Sequence, residues 1–503
     1  MNSSANIGVV GASFAAYTLA IIGVGLLAAR RGRGEGDDYF LGRRTLGPWL
    51  TALSASASAE SGWVTLGLVG AAFTYGYQSY WIIPGTVLGF LFDWFFMAGR
   101  LGRRSRDLDA VTIPDLLAFH FKERWPILRI MAVAIIMIAM MAYVAGQLAA
   151  AGKAFEATFD MPYAWGVLLG AGIVLAYTVV GGFRAVCWTD YAQAAVMVTA
   201  LVAFPIYILA SSGGFEFVNA ALAGAADPPR GIEPGDLLRW IPSMTGWGLV
   251  GFFLGSRALG INFGYPGQPH VLVRFMAMKD PSLAWKAGAI SGVWTTLVFW
   301  GAITTGLCVR AFHETGAPWA AELGAGSRSE AGLVTAALHL LPGVAAGFVV
   351  AAVLSAICST ADSQILVAAS AAANDVYARI FRGNRPGGGA WVNRITVLAL
   401  GIGAVLLVID QRVSVYGYIL TYAWAILGAS FGPQLIVLLW WPGARYAGCI
   451  AGMVTGFAVA VAWPHFYVSD PGSVEVYNLT AAFFAALFVN VAVCLAVNAR
   501  RHP

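Results

Sequence analysis

Thirteen stretches of mostly apolar residues, each near the length that crosses a bilayer, constrain this chain more than any other feature. A hydrocarbon core about 30 Å thick needs about 20 such residues per helix. The stretches fall at 7–29, 47–73, 78–98, 128–154, 163–182, 189–210, 243–266, 283–309, 333–370, 393–410, 415–440, 444–463 and 476–498. Charged residues make up 11% of the 503, against about 25% in a soluble domain. So little charge cannot coat a water-facing surface, and lipid must be part of the solvent. A soluble enzyme, a nucleic-acid binder and a disordered scaffold are excluded. Inside lipid, backbone N–H and C=O groups must pair within the segment, so the expected class is an all-α polytopic membrane protein.

The distribution of positive charge orients these segments. The N-terminus is neutral, and Arg30, Arg31 and Arg33 follow the first segment. A cleaved signal peptide carries the reverse pattern, so the first helix is expected to stay, with its N-terminus outside. On that map, cytoplasmic loops and the C-terminus hold 23 Lys and Arg, and outside loops hold 5, as the positive-inside rule requires. The expected location is the inner membrane, multi-pass, with a cytoplasmic C-terminus. The net charge of +5 arises from these loop arginines and implies no nucleic-acid partner. No obligatory protein partner is evident either.

The longest connections, 99–127, 211–242 and 310–332, leave no room for a soluble domain. GxxxxGK[ST] is absent, so nothing points to ATP-driven transport. Cys187, Cys308, Cys358, Cys449 and Cys494 lie in or beside apolar stretches without CxxC spacing and read as small buried apolar residues. His270 and His339 have no evident partner for nucleophilic chemistry, so the chain is not read as an enzyme.

Two segments are interrupted. The second runs Thr51-Ala-Leu-Ser-Ala-Ser-Ala-Ser-Ala-Glu60-Ser-Gly-Trp63. Ser and Gly weaken a helix, and a glutamate near the bilayer centre costs a few kcal/mol. A close-packed face of small residues with Glu60 at a water-filled cleft would explain this run. So would an unwound stretch whose carbonyls and hydroxyls bind a cation, a break tolerated only where it lines a cavity. The seventh segment ends in Gly260-Ile-Asn-Phe-Gly-Tyr-Pro-Gly-Gln-Pro-His270, which reads as a plain loop or a second break. The two lie five segments apart and so cross in opposite senses. That is the arrangement of a five-plus-five inverted repeat with broken first helices. The repeats would be 47–210 and 243–440, with an extra N-terminal helix at 7–29 and two C-terminal helices within 444–498, all in one transmembrane domain.

Segment nine carries the adjacent hydroxyls Ser359 and Thr360. They either bond back to their own helix or ligate an ion. Neutral oxygens from two helices suit a hard monovalent cation rather than a divalent one. Asp362 is expected near the cytoplasmic end, facing water. Asp190, at the start of segment six, serves as a helix-dipole partner or as a second cation ligand.

The chain resembles the sodium/solute symporter family, most closely its bacterial sodium/proline branch. The stretches that carry the likeness are Tyr39-Phe-Leu-Gly-Arg-Arg-Thr-Leu-Gly-Pro48, Thr51-Ala-Leu-Ser54, Ser61-Gly-Trp63, Gly181-Gly-Phe183 with Trp188-Thr-Asp190, Gly267-Gln-Pro-His270 with Arg274-Phe-Met-Ala277, and Ser359-Thr360 followed by Asp375-Val-Tyr377. The resemblance implies sodium-coupled symport of a small organic solute, with proline or another amino acid first. It implies a sodium site from the carbonyls of Ala57, Glu60 and Ala356 with the hydroxyls of Ser359 and Thr360, and a second sodium at Asp190. It places Ser61, Gly62, Trp63 and Tyr143 on the substrate side, and Gln147, one turn from Tyr143, adds a polar contact. The chain departs from the pattern at Ala59, where proline symporters typically carry an aspartate, and at Glu60, where an apolar residue is usual. The acid has therefore moved one residue, about 100° around the helix. Ile261 stands where a tryptophan is usual. A short carboxylate, pantothenate or a sugar are the alternative solutes, and a channel or a transporter-like sensor the alternative classes.

Overall fold

The computed structural model describes residues 6–30, 37–225, 235–243, 247–324, 326–383, 389–411, 413–466 and 476–500. Ten helical stretches among them are long and apolar enough to cross a membrane. Three further apolar segments are not single long helices. Residues 47–73 break after Ala59, Tyr163–Val179 is a shorter apolar helix, and in the seventh segment the short helix Trp247–Leu254 gives way to 3-10 turns over Leu259–Gly267.

In chain order, α1 is Ile7–Ala29, capped by Asn6, whose Oδ1 accepts from Gly8 N at 2.9 Å. α2 is Pro48–Ala59, with proline at the first helical position, where its missing N–H costs nothing. A π-helical segment Trp63–Leu68 leads into α3, Val69–Tyr75. α4, Ile82–Phe92, continues through a π segment, Asp93–Ala98, into α5, Gly99–Asp107. α6 is Ile113–His120, capped by Thr112, and α7 is Ile127–Phe159.

α8 spans Tyr163–Ser212 and reverses at Gly182, whose φ of 59° and ψ of −171° suit glycine alone. A Cβ there would also lie 2.8 Å from the Tyr39 ring. The second half of the chain supplies α9, Trp247–Leu254, then 3-10 turns over Leu259–Gly267, then α10, Pro269–Ala277. α11 is Ala284–Glu314. The expected single segment 333–370 is two helices, α12 (Gly332–Leu340) and α13 (Gly343–Ser370), because Pro342 between them cannot continue a helix. The series ends with α14 (Gly389–Val408), a π segment Ile419–Trp424 entering α15 (Ala425–Trp440), α16 (Tyr446–Phe466) and α17 (Asn478–Ala499).

α13 is the central helix, buried without interruption from Val349 to Ala371. α8 packs along it in two antiparallel legs. Tyr207 donates to Leu340 O just before one end of α13, while Asp190 lies beside Ser363 toward the other. Large apolar side chains such as Leu19, Phe95, Ile130, Leu406 and Phe488 are turned outward, where lipid is their solvent.

The two breaks meet with opposite sense. Leu46, at the start of α2, pairs with Met278, just past the end of α10, through Leu46 N to Ala277 O at 3.2 Å and Lys279 N to Leu46 O at 2.8 Å. Glu60, at the far end of α2, meets Tyr265, just before α10. α2 therefore runs toward the breaks and α10 away from them.

Polar ties close the molecule on both sides of this level. At the end that holds α5 and α6, Arg129 pairs with Asp115 (2.5 Å) and Asp375, and Arg379 reaches Asp115 at 3.2 Å. At the other end, Lys153 pairs with Glu330 at 2.6 Å, and Ser414 donates to the same carboxylate. Two charges counted with the cytoplasmic loops belong elsewhere. Arg274 has no exposed surface and Arg129 is 5% exposed, because each is matched by buried carboxylates.

Candidate functional site

α2 stops at Glu60, whose φ of −96° and ψ of 86° leave the helical region, and the chain resumes helical winding at Trp63. The carbonyls near the end of α2 consequently lack successors in the helix ladder. The hydroxyls of α13 take them up. Ser359 Oγ donates to Ala57 O at 2.8 Å and lies 3.3 Å from Ala356 O. Thr360 Oγ1 lies 3.1 Å from Ser58 O and 3.4 Å from Ala57 O. Four of the five expected ion ligands, Ala57, Ala356, Ser359 and Thr360, thus form one cluster of neutral oxygens. Glu60 is their neighbour in the break, with its own N–H bonded to Ser56 O at 2.9 Å. Ser58 O joins the cluster and was not read from the sequence. An all-oxygen set without a carboxylate suits a monovalent cation.

Asp190 sits one turn along α2. Its Oδ2 accepts from Ser54 Oγ at 2.7 Å, Ser58 Oγ at 3.1 Å and Arg274 Nη2 at 3.0 Å. Arg274 also reaches Ser363 Oγ at 2.5 Å and Ser54 Oγ at 3.2 Å, and bonds back to His270 O. The guanidinium therefore occupies the position facing Asp190. Asp362, expected at water, has no exposed surface; Tyr177 donates to it at 2.8 Å and Ser363 at 3.1 Å. It is held inside because the first leg of α8 lies against this part of α13.

The expected substrate residues surround the break. Gln147 Oε1 accepts from Gly62 N at 3.0 Å, so α7 holds one of the amides freed by the interruption. Only a glycine fits there easily, since a Cβ would come within 3.0 Å of Ala150 and Ile357. Trp63 N lies 3.3 Å from Ser61 Oγ, and the Trp63 ring packs edge-on against Phe299 at 5.5 Å. Tyr143 is fully buried, its ring 5.8 Å from His270. Tyr265 donates its hydroxyl to Glu60 Oε1 at 3.0 Å. Trp424 lies edge-on to the Tyr265 ring at 4.8 Å and donates to Ile261 O at 3.2 Å, so a tryptophan is supplied from α15's approach where Ile261 itself provides none. Glu60, Ser61, Trp63, Tyr143 and Gln147 have no exposed surface.

Tyr265, Arg274, Ser54, Ser58 and Ser363 were missed as site residues. The signal for Arg274 was its placement in the apolar run Val271–Ala277, where an unpaired cation would be costly. Ser54 and Ser58 had no signal beyond their spacing along α2, and Ser363 on α13 none beyond its place after Asp362.

Two helices broken at one level, running oppositely and stitched to a central helix by paired hydroxyls, define a secondary transporter of the inverted-repeat class. Residues 39–456 match the Sodium:solute symporter family. The sodium/proline symporter of Escherichia coli is 34% identical over 461 residues, covering 90% of this chain and 87% of that protein. The sodium/proline symporter of Salmonella typhimurium is 33% identical over 478 residues, covering 94% and 90%. The high-affinity proline transporter PutP of Bacillus subtilis is 33% identical, covering 90% and 92%. Among solved structures, a substrate-bound, outward-open Na+-coupled sialic acid symporter superposes with a TM-score of 0.76 at 16% identity, over 97% of this chain and 98% of that one. The chain belongs to the Sodium:solute symporter family. It is an all-α, multi-pass inner-membrane protein with the five-plus-five fold, a sodium-coupled symporter of a small organic solute and not an enzyme.

Proposed function

We propose that this symporter carries proline or another amino acid into the cell together with sodium bound between α2 and α13. The observation that carries the ion site is the reach of Ser359 and Thr360 across to the carbonyls of Ala57 and Ser58. Ala57, Glu60 and Ala356 contribute carbonyls and Ser359 and Thr360 hydroxyls, so an entering ion replaces hydrogen bonds that already draw these oxygens together. Sodium then pins the broken end of α2 against the central helix and fixes Ser61, Gly62 and Trp63, beside which the solute binds with Tyr143 and Gln147. The similarity to proline transporters over most of the chain supports proline as the first solute to test. Asp190 serves as the counter-charge of Arg274, and a second sodium there would have to displace that guanidinium. The N-terminus lies outside and the C-terminus in the cytoplasm, which the bias of positive loops supports, 21 to 5 once Arg129 and Arg274 are taken out of the 23.

Coupling is then a difference in affinity between two states of one protein. Solute and sodium together favour the closed arrangement, and one charge crossing 100 mV supplies about 2.3 kcal/mol. The test is uptake of labelled proline by proteoliposomes with and without an inward sodium gradient, with unlabelled amino acids, short carboxylates, pantothenate and sugars as competitors. Sodium-driven accumulation that proline or another amino acid blocks is expected. Accumulation blocked by a carboxylate or sugar, but by no amino acid, would move the solute. Flux that never exceeds equilibrium would remove the symport mechanism.

A further inference from the structure

Several buried carboxylates among the described residues are neutralised by the protein itself. Asp190 meets Arg274, Asp115 meets Arg129 and Arg379, Asp375 meets Arg129, and Glu330 meets Lys153. Glu60 is different. It has no exposed surface, its Oε1 receives one hydrogen bond from Tyr265, and its Oε2 has no partner among the described residues. A carboxylate offers about four acceptor positions, and leaving a buried charge this poorly matched costs several kcal/mol. Asp93 also lacks a partner, but no hydrogen bond or ion pair ties it to either break. Glu60 stands where the two breaks meet.

Other polar groups near this break are also left without partners. Tyr143 Oη, Gln147 Nε2 and both ring nitrogens of His270 are buried without hydrogen-bond partners among the described residues. Aromatic rings stand behind Tyr265, the one that touches Glu60. Tyr265 packs at 5.2 Å from Phe90 and 4.8 Å from Trp424, and the Tyr143 ring lies on the side of His270. A carboxylate held by one phenol, with further aromatic rings behind it, is the chemistry that recognises an organic ammonium.

We propose that Glu60 is the receptor for a positively charged nitrogen of the transported solute, bound between the two broken helices with Tyr143 and Tyr265 beside it. The proposal rests on the symport reading above and narrows it. The solute must carry an amine, so carboxylates without nitrogen, pantothenate and neutral sugars are excluded, and amino acids, including the secondary amine proline, are retained. The same contact gives the solute a part in coupling. An ammonium that satisfies Glu60 Oε2 while Oε1 stays on Tyr265 draws the first break toward the second. Solute and sodium would then act on opposite sides of one broken helix end.

The test uses matched pairs that differ only at the nitrogen. Proline and its oxygen isostere tetrahydrofuran-2-carboxylate, and alanine and lactate, compete against labelled proline in sodium-energised proteoliposomes. The same compounds are scored by thermal stabilisation of the purified protein in NaCl and in KCl. The wild type is expected to prefer each amine at least 100-fold. Glu60→Gln, which keeps size and one acceptor, is expected to compress that preference below 10-fold. Tyr265→Phe, which removes only the hydroxyl on Oε1, is expected to weaken amine binding several-fold and serves should Glu60→Gln not fold. Equal competition by amine and isostere in the wild type overturns the proposal, as does an undiminished preference in Glu60→Gln. Solute-driven acidification of the vesicle lumen, abolished in Glu60→Gln and without amine preference, overturns it in favour of a proton carrier. Stabilisation by sodium alone, lost in Thr360→Ala, reports the sodium reading separately. If sodium stabilises nothing and drives no uptake, the symport reading falls, and this proposal with it.

Discussion

Asp190 and Glu60 are both carboxylates without exposed surface, and both lie against the same broken helix end, yet the protein treats them in opposite ways. Asp190 is surrounded by Ser54, Ser58 and Arg274, with a guanidinium at 3.0 Å. Its Oδ1 also has no hydrogen-bond partner among the described residues, but its charge is matched by a cation of the fold itself. Glu60 has a phenol on one oxygen, no partner on the other among the described residues, and no cation paired with it there. Its charge is left for something that comes and goes. Between them sits the cluster of Ala57, Ser58, Ser359 and Thr360, neutral and therefore dependent on an ion for any net charge. One end of one helix thus holds an internal ion pair, the proposed ion site and the proposed solute-facing acid within about two turns.

The sharpest way to break this contrast is to remove the permanent partner. Arg274→Met leaves Asp190 buried and uncompensated, and removing one member of a buried pair costs about 3–5 kcal/mol. The expected result is a steep loss of melting temperature in detergent. Adding Asp190→Asn should recover much of it, because two neutral groups of similar size no longer oppose each other. If the single variant melts like the parent, Asp190 is not held by Arg274 and the contrast fails.

Next in size is the ion cluster. Thr360→Ala removes one hydroxyl from the set that faces Ala57 and Ser58. A lost hydrogen-bonding ligand of about 1.4 kcal/mol is a tenfold change in affinity. The sodium concentration for half-maximal uptake should rise about tenfold, with solute affinity at saturating sodium changed far less. An unaltered sodium requirement would take the ion away from this cluster.

Glu60→Gln should move stability the other way from Arg274→Met. It removes a poorly matched charge, so the solute-free protein should gain about 1 kcal/mol, read as a rise in melting temperature. A fall instead would mean that the carboxylate is satisfied in the resting protein, and Glu60 would join Asp190 on the structural side.

The parts of this arrangement that were legible in the sequence are those written in local composition. Apolar length gave the segments, and the Ser/Ala run ending at Glu60 and the Gly/Pro run from Gly260 to His270 gave the two breaks. The hydroxyl pair on α13 stood out because polar side chains in an apolar helix are costly. What could not be read were contacts between distant segments. Arg274 looked like a loop charge because it lies close to Lys279 and Asp280 in a connection between apolar segments; its partner lies 84 residues away. Asp362 looked like a helix-end residue facing water because the leg of α8 that covers it through Tyr177 is 185 residues away. Tyr265 was one aromatic among glycines and prolines until its hydroxyl met Glu60. Periodicity reports which face of a helix is apolar, and not which residue of another helix it meets.

The smallest expected effect lies at the rim, where water replaces the protein as the compensating partner. His120, at the end of α6, faces Arg104, with its Nδ1 at 3.1 Å from Nη2 and 3.3 Å from Nε. Partial burial, and then the neighbouring guanidinium, bring its pKa down from 6.5 to about 4. The folded value is below the unfolded one, so the unfolded chain binds the proton first as pH falls. The cost to stability is absent above about pH 6.5 and grows as pH falls from there to about 4. His120→Gln should flatten the slope of melting temperature against pH within that window and leave the protein unchanged at pH 7.5. The effect should be small, because solvent reaches this half-exposed side chain and screens the repulsion. An identical slope in the variant would mean that His120 titrates freely beside Arg104. In that case closeness to a guanidinium matters in this protein only where water is excluded, which is the condition that separates Asp190 and Glu60 from every charge at the rim.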